Sequence, residues 1–123
     1  VLVRVELENV PFLFDSSVSE RAGHHILCDT FAGHIAVGRE GGEVYELMEG
    51  LDEVRVVNKD VSSFWRCVVC YLRYAEALTG DDIADERLAQ DTMGQMTRED
   101  PLAFASSETF WSIVCAEMVC GFV

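Results

Sequence analysis

Two cysteines three residues apart, Cys67 and Cys70 in "WRCVVC", have the spacing of a redox pair or of half a zinc site. A redox pair needs its first sulfur at a helix N-terminus, where the backbone dipoles stabilise the thiolate. Here the hydrophobic period puts both sulfurs about two turns inside a helix, interleaved with core positions. That predicts buried, reduced, structural thiols that bind no metal. Completing a zinc site with Cys115 and Cys120 would require four sulfurs to converge from two helix interiors. A second set is His24, His25, Cys28 and His34. On one strand His24 and Cys28 share a face but stand about 13 Å apart, too far to ligate one ion. His24 and His34 could meet across neighbouring strands, yet no third ligand is evident, so these read as ordinary histidines. "DDIAD", residues 81–85, has the spacing by which large all-helical enzymes hold magnesium against a diphosphate. A strand-rich chain of 123 residues cannot build that cavity, and acids in a first helical turn are favoured by the macrodipole in any case. No Ser/His/Asp or Cys/His signature is present. The reading assigns no catalytic residue, no metal ligand and no cofactor.

"HIAVGREGGEVYELME", residues 34–49, raises the question of a phosphate loop. Such a loop normally opens directly into a helix, whereas Glu43, Tyr45 and Leu47 follow with a period of two. Glu40 and Glu43 would also repel a phosphate. Gly41-Gly42 between two alternating runs is instead a β-hairpin signal, and a tight two-residue turn would need φ > 0.

The elements around these residues follow from periodicity. Val1, Val3, Val5 and Leu7 alternate with Arg4, Glu6 and Glu8, which predicts an amphipathic strand. Asn9 to Pro11 punctuates, "FLFD" reads as a short second strand, and residues 15–23 read as a polar loop. "HHILCDT" and "HIAVGRE" are further strands, with Phe31 to Gly33 between them. The hairpin joins 34–39 to 44–48, and "EGLDE" turns into a strand at 54–58. The period changes at Asp60, which suits an N-cap. A helix over 61–79 follows, with Phe64, Val68 and Leu72 buried and Gly80 at its C′ position. An acidic helix spans 82–97, Asp100-Pro101 starts a helical turn, and Phe110, Trp111, Val114, Cys115 and Met118 form one face of a last helix. Strands first and helices afterwards predict an α+β fold: an antiparallel meander in the N-terminal half, packed by C-terminal helices, as a single domain over 1–123.

Nine Lys and Arg against twenty-two Asp and Glu leave a net charge of −13. Nucleic acid needs a basic surface to neutralise its phosphates, so it is not an expected partner. Anionic membrane surfaces are disfavoured by the same repulsion, and no apolar run is long enough to span a bilayer. A basic protein partner, by contrast, would be steered in by this field. Five cysteines in irregular spacing, without a visible leader, indicate reduced thiols and a cytoplasmic setting.

The order of features resembles the SUKH superfamily, and within it the bacterial immunity-protein subgroup counted fourth. The resemblance rests on Val37, Gly38, Gly41, Gly42, Val44 and Tyr45 in the hairpin, then Val57, Asn58, Asp60 and Phe64, then Asp100, Pro101, Phe110 and Trp111. Lys59 and Asp60 stand where the subgroup has "SS", and Asp60 is an equivalent cap. Members commonly begin with additional N-terminal sequence, so this chain is expected to lack part of its start. The resemblance implies a protein that binds and neutralises a polymorphic toxin, often a nuclease or deaminase, without being an enzyme. The rival readings are a small metal- or thiol-dependent enzyme using Asp81, Asp82, Asp85 or the thiols, and a regulatory interaction module. For an immunity protein the expected partner is a basic toxin domain. The expected partner-binding residues are Asp81, Asp82, Asp85, Glu86 and Asp91, which with Arg87 give −4 over 81–91.

Overall fold

The computed structural model describes residues 2–7, 10–21, 24–30, 33–38, 41–48 and 54–121, with backbone alone described up to residue 25. Among these residues six strands form one antiparallel sheet in chain order: β1 (Leu2–Leu7), β2 (Val10–Arg21), β3 (His24–Asp29), β4 (Gly33–Gly38), β5 (Val44–Met48) and β6 (Val54–Asn58). Three helices follow: α1 (Val61–Ala77), α2 (Asp82–Glu99) and α3 (Phe110–Val119), with a 3₁₀ turn over Pro101–Phe104 before α3. The chain therefore has the expected α+β order. The facing of the first strand's side chains and the turn in "EGLDE" lie outside the described residues.

The polar stretch expected as a loop is the main departure. Residues 15–21 continue β2, which pairs with β1 up to Asp15 and with β3 through Ser19, Glu20 and Arg21. The register shifts between Phe14 and Ser19, so the serine-rich segment carries an irregularity within the strand. β1 pairs with its first residue, Asp15, and β3 with its last three, and that tertiary pairing at both ends overrides its weak intrinsic preference. Residues 22 and 23 lie outside the described part.

The hairpin is present, but its turn is longer than a two-residue one. Gly38 N–H donates to the Glu43 carbonyl (2.9 Å) and Gly42 N–H donates back to the Gly38 carbonyl (3.1 Å), so the strands close across Gly38 and Glu43. Of its two glycines, only Gly42 takes a positive φ, 74°. A different glycine is sterically obligatory. A Cβ on Gly33 would stand 1.9 Å from the Leu47 carbonyl oxygen, so β4 and β5 can pair there only without a side chain.

The core lies between the sheet and the helices. Cys28, Ile35, Val44 and Val57 meet Phe64, Cys67, Val68, Tyr71 and Tyr74 of α1 and Phe110, Trp111, Val114, Cys115 and Met118 of α3. Trp111 is its centre, with the rings of Phe110, Tyr71 and Phe64 at 5.0, 6.3 and 6.5 Å. Phe64 and Val68 are buried as expected, whereas Leu72 is only half-buried. Because α1 is enclosed by β6 and by α2, the middle of its buried face is Cys67, Tyr71 and Tyr74, and Leu72 falls on the flank.

Candidate functional site

The motif residues from three distant parts of the chain converge on one buried hub. Asn58 ends β6, Asp100 caps the 3₁₀ turn, and Trp111 is the second residue of α3; all three are 0% exposed. The Asp100 carboxylate accepts from Asn58 Nδ2 (2.9 Å), Lys59 N (2.8 Å) and Leu102 N (3.1 Å). Trp111 Nε1 donates to Asn58 Oδ1 at 2.8 Å. An indole can only donate and a carboxylate can only accept, so the pair dictates which way the Asn58 amide points. A buried carboxylate holding three N–H donors is satisfied in place. Pro101 adds a residue without an N–H at the position where the turn has none to satisfy. The hub is a structural clasp joining sheet, turn and last helix, and it leaves no reactive group exposed.

The thiols belong to the same interior. Cys67 lies 3.5 Å from Asn58 Nδ2 and Cys115 lies 3.8 Å from the Met96 sulfur. Burial pushes the Cys28, Cys67 and Cys115 thiols up to about 12. Such sulfurs are protonated and poor nucleophiles at neutral pH. Cys70 is half-buried and Cys120 is exposed, so the four candidate zinc sulfurs do not share one environment. No three His, Cys, Asp or Glu side chains among the described residues are grouped to hold a metal ion.

The histidine pairing considered across strands does not form. In the β3–β4 register His24 stands opposite Gly38 and His34 opposite Asp29, so the two histidines occupy opposite ends of the ladder. His34 Nδ1 contacts the Asp29 carboxylate instead. One buried acid was not anticipated. Glu46, 2% exposed, accepts from Thr30 Oγ1 (3.0 Å) and pairs with Arg55 (3.1 Å). Its place beside Val44 on the covered face was readable from the period of two; its partners, 16 and 9 residues away, were not.

The acidic cluster after α1 is divided by its hydrogen bonds. The Asp81 carboxylate caps α2 by accepting from Ile83 N and Ala84 N at 3.0 and 3.1 Å. Asp85 turns back and accepts from Thr79 N, Thr79 Oγ1 and Gly80 N, each at 2.9 Å. Those bonds, the Thr79 backbone one foremost, hold its carboxyl below the ordinary value. They also explain why α1 stops at Ala77, short of 79: beyond the Leu78 cap the Thr79 and Gly80 N–H groups turn to Asp85, with Gly80 at φ 87°. Asp82 and Glu86 remain exposed, one helical turn apart on one face. Asp91, also exposed, lies nine residues beyond Asp82 and about half a turn round the helix from it. Asp82, Asp85 and Glu86 rim a hollow of about 560 Å³ whose floor includes Leu78, Met118 and Val119. Beside it Ile83 is 83% exposed.

An antiparallel meander with its helices appended, its motif residues enclosed in a clasp and its acids outside, defines an α+β scaffold whose open chemistry is on its surface. A family model described as SUKH-4 immunity protein matches residues 14–117, and the chain belongs to that family. Membership assigns it an immunity function, and the family is generally non-enzymatic. No curated protein and no solved structure matches the chain significantly. Among the described residues no helix is long and apolar enough to cross a membrane.

Proposed function

We propose that this chain, acting as one domain in the bacterial cytoplasm, binds a basic polymorphic toxin domain of the nuclease or deaminase type and blocks its substrate-binding surface. The observation that carries the reading is the pairing of a SUKH-4 immunity frame with a net charge of −13. A surface evolved to grip nucleic acid is cationic, and an acidic protein can occupy it in place of the substrate. Asp81, Asp82, Asp85, Glu86 and Asp91 are the proposed contact acids. Asp82 and Glu86 carry most of the contact, because Asp81 and Asp85 already serve the α1–α2 corner and Asp91 faces another way. The thiol-dependent alternative is disfavoured by three buried thiols raised to about 12.

The test is stoichiometric inhibition. The purified toxin domain encoded beside this chain's gene is titrated with the chain while its activity on nucleic acid is followed. One-to-one loss of activity, with a complex on gel filtration, is the expected outcome. Full toxin activity at a tenfold excess of this chain would reject the reading.

A further inference from the structure

Helix α2 carries a glycine in its interior that nothing within the described residues requires. Gly94 lies well inside the helix Asp82–Glu99, where glycine is the least favourable residue after proline. It is not among the glycines with positive φ, which are Gly42, Gly80 and Gly121, so an alanine would adopt its backbone. A Cβ built there would meet Arg98 Nη1 at 3.6 Å, an ordinary contact. Neither backbone geometry nor packing excludes a side chain at this position. What a side chain would do is fill an open hollow of about 690 Å³, lined by Met93, Thr97, Arg98, Pro101 and Phe104.

This hollow and the acid-rimmed one are the two ends of one seam. The start of α3, at Ser112, lines the hollow beside the second half of α2, and its end, at Val119 and Cys120, lines the hollow beside Asp82 and Glu86. We infer that the Gly94 hollow is the apolar anchor point of the toxin interface, receiving an apolar side chain of the toxin while the toxin backbone packs against α2. The inference rests on the immunity reading and adds where and how the partner is held. A second copy of this chain is a poor occupant, since it would bring a charge of −13 against −13. The seam runs from carboxylates at one end to an apolar hollow at the other, where Arg98 is the charged lining group. Its complement is a surface with a cationic group and, about 18 Å away by the helical rise, an apolar side chain. Anchors of that kind, seated in a pocket, dominate binding energy in protein interfaces.

The experiment uses the full chain and the toxin domain encoded beside its gene. Gly94→Ala and Gly94→Gln are compared with wild type for melting temperature and for toxin dissociation rate. Gly94→Ala should raise the melting temperature by a few degrees, yet speed toxin dissociation about tenfold or more, with Gly94→Gln worse. Wild-type binding with both variants dissociating within about twofold of it would overturn the inference alone. A lower melting temperature in Gly94→Ala would also overturn it, because the glycine would then serve the fold. Failure of wild type to bind would overturn the immunity reading and this inference together.

Discussion

The Asn58–Asp100–Trp111 hub and the Asp81–Glu86 corner are both polar clusters at helix ends, and they serve opposite ends. In the hub every polar atom faces another part of the same chain, and the three residues are 0% exposed. At the corner Asp81 and Asp85 hold local backbone, while Asp82 and Glu86 face solvent. The hub joins segments 42 and 53 residues apart, so each member fixes long-range geometry. The corner spans only a few residues and can change its exposed acids without disturbing the fold. A protein that must keep one frame while meeting a particular toxin would divide its polar residues in this way.

The largest effect should come from the hub. Asp100→Ala removes the acceptor for Asn58 Nδ2, Lys59 N and Leu102 N together. Each orphaned donor costs about 1–3 kcal/mol, and two of the three are only part-buried, so a loss of at least about 3 kcal/mol is expected in urea unfolding at pH 7. A change below about 1 kcal/mol would show that the hub is not the clasp described.

A smaller and pH-dependent effect should mark the corner. Asp85, like the Asp60 cap on α1, has its carboxyl held low by backbone N–H groups, from Thr79 first in one case and Ser63 first in the other. A folded value below the unfolded one stabilises the fold above the unfolded value, near 3.8. That contribution disappears as the pH falls through the folded value. Asp85→Asn should therefore be less stable than wild type at pH 7, and the gap should close below about pH 4. A gap of constant size from pH 7 to pH 3 would mean that the ionised carboxylate is not what holds Thr79 and Gly80.

The same division explains what was legible in the sequence. The helices were readable because Asp60, Asp81 and Pro101 act locally and the apolar period of α1 and α3 is strong. The serine-rich part of β2 was not, because it is carried as an irregularity between stretches whose strand character comes from pairing with β1 up to Asp15 and with β3 from Ser19. The motif residues were visible one by one as cap, turn and ring. That Asn58, Asp100 and Trp111 touch one another is a tertiary fact that no local spacing encodes. The acids are visible as a cluster in sequence, but a cluster in sequence is not one in space. Asp85 in fact points back at Thr79, and Asp91 lies on another face. Gly94 gave no signal, since a glycine in a helical pattern reads as a mild defect until the hollow beside it is seen.

The smallest effect on stability, and the most specific one on binding, should come from the exposed acids. Asp82 and Glu86 face solvent while Asp81 and Asp85 hold the backbone of the corner, and surface substitutions of that kind usually change stability by no more than about 0.5 kcal/mol. Reversing both to Lys changes the net charge from −13 to −9, since each substitution adds two units. Their field acts on an approaching cationic surface before contact, so it should govern association rather than dissociation. At low salt the double variant should bind the toxin more slowly, and the rate difference should shrink as the Debye length falls to about 8 Å at physiological ionic strength. Asp91→Lys, on another face of α2, provides the internal control, with a smaller change in rate for half the change in charge. If all three positions scaled only with net charge, steering would belong to the whole protein. If the Asp82/Glu86 pair exceeds Asp91 per unit charge, the steering is local to the seam, and the corner is where the toxin arrives.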